Sequence, residues 1–131
     1  MDFFKPDIHE RITLPKPPLR DEDEISRIKD ITQNRTAEDV QSIRDHDEVP
    51  FYALKKYCKD NGMLFHENEF EDLVEQSTPI ILHFKNMFNR KRPSEIDPSI
   101  NTLPSKTNKT RSYPSGHSTQ ARLVARYVAG K

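Results

Sequence analysis

Apolar residues recur along this chain at helical spacing rather than in alternation. Ile25, Ile28 and Ile31 repeat every third position behind the acidic run Asp21 to Glu24. Acids there suit the positive end of a helix, so the pattern predicts a helix from Asp21 to about Gln33. Thr36-Ala-Glu-Asp39 has the form of a capping box with Asp in place of the usual Glu, and predicts the start of a short second helix. A third runs from Val49 to about Lys59 and stops at Asp60-Asn61-Gly62. The longest helical pattern spans Glu67 to about Lys91, with Pro79 expected to break or kink it. Beyond Pro79, Ile80, Ile81, Phe84, Met87 and Phe88 form an i, i+1, i+4, i+7, i+8 stripe, a face expected to need helical partners along its whole length. Residues 94–113 read as a loop rich in Ser, Thr, Asn and Pro. A final helix is predicted from Ser115 to Ala129, with Leu123, Val124, Tyr127 and Val128 inward and Gly130 as its stop. No strand pattern or internal repeat stands out, and the predicted class is all-α.

At 131 residues the chain is one domain. Residues 1–20 hold four of the ten prolines and read as an extended arm; residues 21–131 read as a single helical unit. Only 33% of residues are hydrophobic against 32% charged, so the expected core is thin. No apolar run approaches the ~18 residues of a membrane span. Met1-Asp-Phe-Phe-Lys-Pro-Asp lacks the composition of a signal segment, and the expectation is a soluble cytoplasmic protein. The lone cysteine, Cys58, is expected to be a small buried hydrophobe.

The formal net charge of zero hides an asymmetry. Residues 1–84 carry 11 Lys and Arg against 19 Asp and Glu, a balance of −8; residues 85–131 carry 10 against 2, a balance of +8. The second part is expected to attract anions.

Two segments in that basic part carry candidate chemistry. In Lys85-Asn-Met-Phe-Asn-Arg-Lys-Arg92-Pro93, a Lys is followed after six residues by Arg-Pro. On one continuous helix, Lys85 and Arg92 lie two turns apart on the same face, roughly 10 Å along the axis. Arg offers a planar fork to phosphate oxygens and Lys a point charge. The plain alternative is a basic helix end with Lys85 reaching back to water. In Tyr113-Pro114-Ser115-Gly116-His117-Ser118, Ser115 and Gly116 open a helix and present backbone N–H groups, a ready anion site. Gly116 allows close approach of a ligand to the backbone, and His117 in the first turn can donate a proton to a leaving oxygen. The plain alternative is a Ser cap followed by a surface histidine.

Together and in this order, the two segments resemble the type 2 phosphatidic acid phosphatase family, with its soluble acid phosphatases and vanadium haloperoxidases. Its motifs are K-x6-R-P, P-S-G-H and S-R-x5-H-x3-D. The resemblance covers chiefly residues 79–131 and implies an α-helical bundle. It implies that Lys85, Arg92, Ser115 and Gly116 hold the phosphate, and that His117 is the general acid. It further implies hydrolysis of a phosphomonoester through a phosphohistidine intermediate, with no metal or other cofactor and with vanadate as a phosphate mimic. The third motif is not matched: no His follows His117 and no Asp follows Asp97. His9, His46, His66 and His83 lack its spacing, and Arg122 and Arg126 fall outside its pattern. The expectation is a chain truncated before the last helices of such a bundle; the alternatives are a separate chain or a homo-oligomer that supplies them, or a degenerate member that binds phosphate without hydrolysing it. A different class also fits the basic part: Lys106, Lys109 and Arg111 bind nucleic-acid phosphates without chemistry, with Tyr113 and Phe88 stacking on bases.

Overall fold

The computed structural model describes residues 2–19 and 22–130. Among them every regular element is helical. In chain order these are α1 (Ile8–Arg11), α2 (Glu22–Gln33), α3 (Ala37–Glu48), α4 (Tyr52–Asp60), α5 (Glu67–Phe88), α6 (Pro93–Ile96) and α7 (Gly116–Ala129), with a 3-10 turn at Lys106–Lys109. The expected first residue of α2, Asp21, lies outside the described residues.

The local signals act as their chemistry dictates. Thr36 caps α3, its side chain accepting from Asp39 N at 3.1 Å while Asp39 Oδ2 accepts from Thr36 N at 2.9 Å. Asp60-Asn61-Gly62 ends α4, and Gly62 takes φ +64°, a conformation that favours glycine. Ser115 caps α7, its hydroxyl accepting from Ser118 N at 3.2 Å.

The core forms where α5 packs against α7. Phe51, Phe70, Leu73 and Val124 are buried there, with Val124 fully enclosed. Phe65 lies over Phe70 with ring centroids 4.7 Å apart, and Phe3 meets Tyr127 edge-on at 5.3 Å. Gln120 Nε2 of α7 donates to Val74 O, Ser77 Oγ and Thr78 Oγ1 of α5 at 3.2, 3.1 and 3.1 Å. This buried amide ties the two helices in one register. Cys58 is buried as expected.

Several expectations are corrected. Pro79 does not break α5, which runs through it for 22 residues. In the preceding turn, Ser77 and Thr78 hydroxyls donate back to Val74 O at 2.7 and 3.0 Å, and Gln120 braces the same carbonyl. Neighbouring donors of this kind are what let a helix tolerate proline. The helix stops at Phe88 rather than near Lys91, because Asn89 turns left-handed at φ 49° and donates to Lys85 O. The apolar stripe is only partly inward. Ile81 and Phe84 are covered by the chain's own elements, Met87 is exposed, and the buried position beside Phe84 belongs to Lys85. The loop at 94–113 contains α6 and the 3-10 turn. The N-terminal arm is not uniformly extended: it includes α1, which packs on α5. It is anchored by Phe3 N donating to Gln76 Oε1 and Tyr113 Oη donating to Pro15 O.

Burial predicts the stability response. Phe70→Ala is expected to cost about 3–5 kcal/mol, the usual range for deleting a buried aromatic ring. Leu19→Ala, at a residue 98% exposed, is expected to change stability by less than about 0.5 kcal/mol. Urea unfolding followed by helical circular dichroism reads both.

Candidate active site

The end of α5 and the start of α7 meet across a cavity of about 450 Å³. All five residues singled out in the sequence line it: Lys85, Arg92, Ser115, Gly116 and His117.

Lys85 is 4% exposed, although its neighbours on the stripe are apolar. Its Nζ donates to Arg111 O at 2.6 Å, and among the described residues no carboxylate pairs with it. Burial, and then the nearby Arg92 charge, pull its pKa below the usual 10.5. A buried cation beside a second cation, with only a carbonyl for company, is a costly arrangement in the absence of an anion.

Arg92 reaches this place by a route the sequence did not predict. It is not on α5 and does not share a helical face with Lys85. It is the N-cap of α6, extended at φ −76° and ψ 154°, beyond the left-handed turn at Asn89. Its Nε donates to Thr110 O at 2.7 Å, and its Nη2 to Thr110 Oγ1 at 3.2 Å and to Arg111 O at 3.4 Å. Glu95 Oε1 accepts from Arg92 N at 3.0 Å. Burial lowers the Arg92 pKa, with the Glu95 charge opposing it. The Thr110–Arg111 backbone thus sits as a shared acceptor for both cations. Each cation keeps N–H donors in addition: two on Lys85 Nζ, and the Nη1 pair on Arg92.

From the other side comes the start of α7. Gly116 and His117 are its first two residues, whose N–H groups have no acceptor within the helix. Ser115 Oγ accepts from Ser118 N and keeps its own proton to donate. A Cβ built on Gly116 would stand 4.0 Å from Lys85 Cε. The backbone there and the Lys85 stem therefore face each other directly, with room for a methyl group.

His117 is half-buried, and its Nε2 lies 3.3 Å from Asp47 O and 3.7 Å from Asp47 Oδ1. Asp47 is tied down in turn, accepting from Ser105 Oγ at 2.9 Å. Sequence reasoning missed Asp47. It lies at the end of α3 in the run Asp45-His46-Asp47-Glu48, where no spacing separates it from its acidic neighbours. Lys106, Thr107, Thr110 and Ser112 also line the cavity, brought in by the long loop.

The remaining histidines lie elsewhere. His9 and His83 meet at a tilt between α1 and α5 with ring centroids 4.7 Å apart, His46 meets Tyr52 edge-on, and His66 precedes α5. Arg122 and Arg126 are exposed. His117 is thus the cavity's one imidazole among the described residues. Among those residues no group of three or more His, Cys, Asp or Glu gathers to hold a metal, and no helix is long and apolar enough to cross a membrane.

Chemically, the cavity offers two cations, two helix-end N–H groups, a hydroxyl and an imidazole converging from two elements. That set can bind a tetrahedral oxyanion and can pass a proton to one of its oxygens. No protein-family model, curated protein or solved structure matches the chain.

The buried cation predicts a pH dependence. The unfolded chain holds the Lys85 proton up to about 10.5, whereas the folded chain releases it earlier. The cost of burying the charge is full below the folded pKa and falls away as pH rises from there to 10.5. Wild-type stability relative to Lys85→Met is expected to increase across that interval, read by urea unfolding at a series of pH values. A flat difference would mean that Lys85 is not held as a buried cation.

Proposed function

We propose that the chain binds a phosphate ester at the Lys85–Arg92–His117 cavity and contributes phosphate-holding and proton-donating groups to phosphomonoester hydrolysis. One observation carries the reading. Lys85 is a buried cation with no carboxylate partner among the described residues, and it faces Arg92 and the first N–H groups of a helix across a single cavity. An anion between them relieves the repulsion and satisfies the helix end at once.

In this reading, Lys85 and Arg92 bind the phosphoryl oxygens and stabilise charge that develops on them. Gly116 N–H, His117 N–H and the Ser115 hydroxyl add hydrogen bonds. His117 protonates the departing alkoxide oxygen, with Asp47 as a positioning residue that fixes its ring. The family resemblance supplies the rest of the proposal: an imidazole nitrogen attacks phosphorus, the ester bond breaks with its electron pair on oxygen, and water then hydrolyses the phosphohistidine. The attacking imidazole is not among the groups that line the cavity. In a type 2 phosphatidic acid phosphatase arrangement it comes from a further helix, of this chain, of a second copy or of another protein.

A second reading is phosphate binding without hydrolysis, and the cavity's single imidazole favours it. Its nucleic-acid version would show a preference for polymers and a steep salt dependence.

Phosphate or vanadate titration tests the binding. At one hundred times its Kd, phosphate is expected to stabilise the protein by about 2.7 kcal/mol. Lys85→Met and Arg92→Gln are each expected to weaken it roughly tenfold or more, the usual effect of removing a charged partner. Gly116→Ala should fold normally, since a Cβ meets only Lys85 Cε at 4.0 Å, yet bind phosphate more weakly because its methyl group enters the cavity. Turnover of p-nitrophenyl phosphate that is lost in His117→Ala supports hydrolysis. Binding without turnover supports the second reading, and failure to bind phosphate or vanadate overturns both.

A further inference from the structure

A second cavity, of about 300 Å³, lies against the first. Arg92 and Thr107 line both. Asp47 lines the second and meets His117, which lines the first. The shared wall is therefore built from the phosphate-binding arginine and the imidazole–carboxylate pair.

That wall is where the bond between phosphorus and its leaving oxygen must lie if His117 protonates that oxygen. The rest of the leaving group then extends past His117 and Asp47. The second cavity begins on the far side of that wall, at Asp47.

Its lining has a definite character. Ile28 of α2 and Ile43 of α3 face Ile100 and Leu103 of the long loop. Ile100 is buried, whereas Ile43 is 47% exposed and Ile28 half-buried. Neither α2 nor α3 has a fully buried residue. Apolar side chains thus line a space that the fold leaves open. Arg35 and Arg44 stand in the same lining. Asp47 is the cavity's only acid among the described residues, and it is engaged by Ser105 and His117. Three guanidinium groups, counting Arg92, therefore outweigh one committed carboxylate around an apolar space.

We infer that this second cavity receives the organic half of the phosphate ester, and that this half combines an apolar body with a second anionic group, a carboxylate or a second phosphate, held by Arg35 and Arg44. The inference rests on phosphate binding in the first cavity. The isoleucines and Leu103 cover the apolar body, and the forked guanidinium groups take up the distal anion. Specificity for such a ligand comes from elements that carry none of the phosphate-binding residues.

Competition against inorganic phosphate separates the two levels. The probes are phenyl phosphate, para-carboxyphenyl phosphate and para-phenylene bisphosphate, with inorganic phosphate reporting the first cavity alone. The expected result is that one or both probes with a second anionic group bind about tenfold tighter than phenyl phosphate, in competition with inorganic phosphate. The one that gains more identifies the distal anion as carboxylate or phosphate. Arg35→Gln and Arg44→Gln should each erase most of that gain while leaving inorganic phosphate affinity within about twofold. Arg44 is exposed on α3 and Arg35 lies beyond the end of α2, and thermal melts confirm that both variants fold. Equal affinity for all three esters, or a gain that survives both substitutions, overturns the inference while inorganic phosphate binding stands. Binding of the probes that does not compete with inorganic phosphate overturns it as well. Absence of any phosphate binding overturns the first-cavity reading and this one with it.

Discussion

The crossing of α5 and α7 is the constraint on which the cavity depends. Val124 fills its centre and is fully enclosed, and Gln120 spans the interface with three hydrogen bonds to α5. A buried amide whose N–H groups are met by one set of partners specifies a register far more sharply than apolar contact alone. Rotating α7 by one residue turns its faces by roughly 100° and takes Gln120 away from Val74, Ser77 and Thr78. With the register fixed, the N-terminal end of α7 arrives beside Lys85, two to three turns beyond the Gln120 contacts on α5. The stability of the crossing and the geometry of the cavity are therefore set by the same side chains.

The electrostatics of the cavity oppose that stability. Lys85 occupies a buried position on an otherwise apolar face and donates to Arg111 O, its one acceptor among the described residues. Arg92 adds a second positive charge nearby and is held by the same short backbone segment. A leucine at position 85 would suit the stripe better as packing. The lysine is a local conflict between fold and charge, and such conflicts concentrate where a protein meets its ligand. The loop that answers both cations with carbonyl oxygens lets the chain fold around them. It also fixes the two donors on one wall of the cavity.

Most of the local structure was legible in the sequence because its causes are local. Thr36 with Asp39, Asn61-Gly62 and the Ser115 cap act within a few residues of themselves. The reading failed where distant groups intervene. Pro79 was expected to interrupt α5, yet hydroxyls at Ser77 and Thr78 and the amide of Gln120 brace the turn before it. Arg92 was expected on the face of Lys85 through helical spacing, but α5 ends at Phe88. The two cations come together through a left-handed Asn89 and hydrogen bonds to Thr110 and Arg111. The two cations do line one cavity, but not by the helical geometry expected of them.

By itself the sequence determined the helical class, the caps of α3 and α7, the stop of α4, the basic balance of the second part and the residue types whose chemistry suits an oxyanion. Each follows from periodicity, backbone preference or side-chain chemistry, which need no knowledge of distant neighbours. The tertiary structure alone decided that Lys85 is buried with a backbone carbonyl as its acceptor, that Asp47 reaches His117 across 70 residues of chain, and that a second cavity opens beside the first. Those facts depend on which side chains converge when α3, the long loop and the α5–α7 crossing pack together. Convergence of that kind is set by the summed packing of the whole chain, and no short stretch of sequence encodes it.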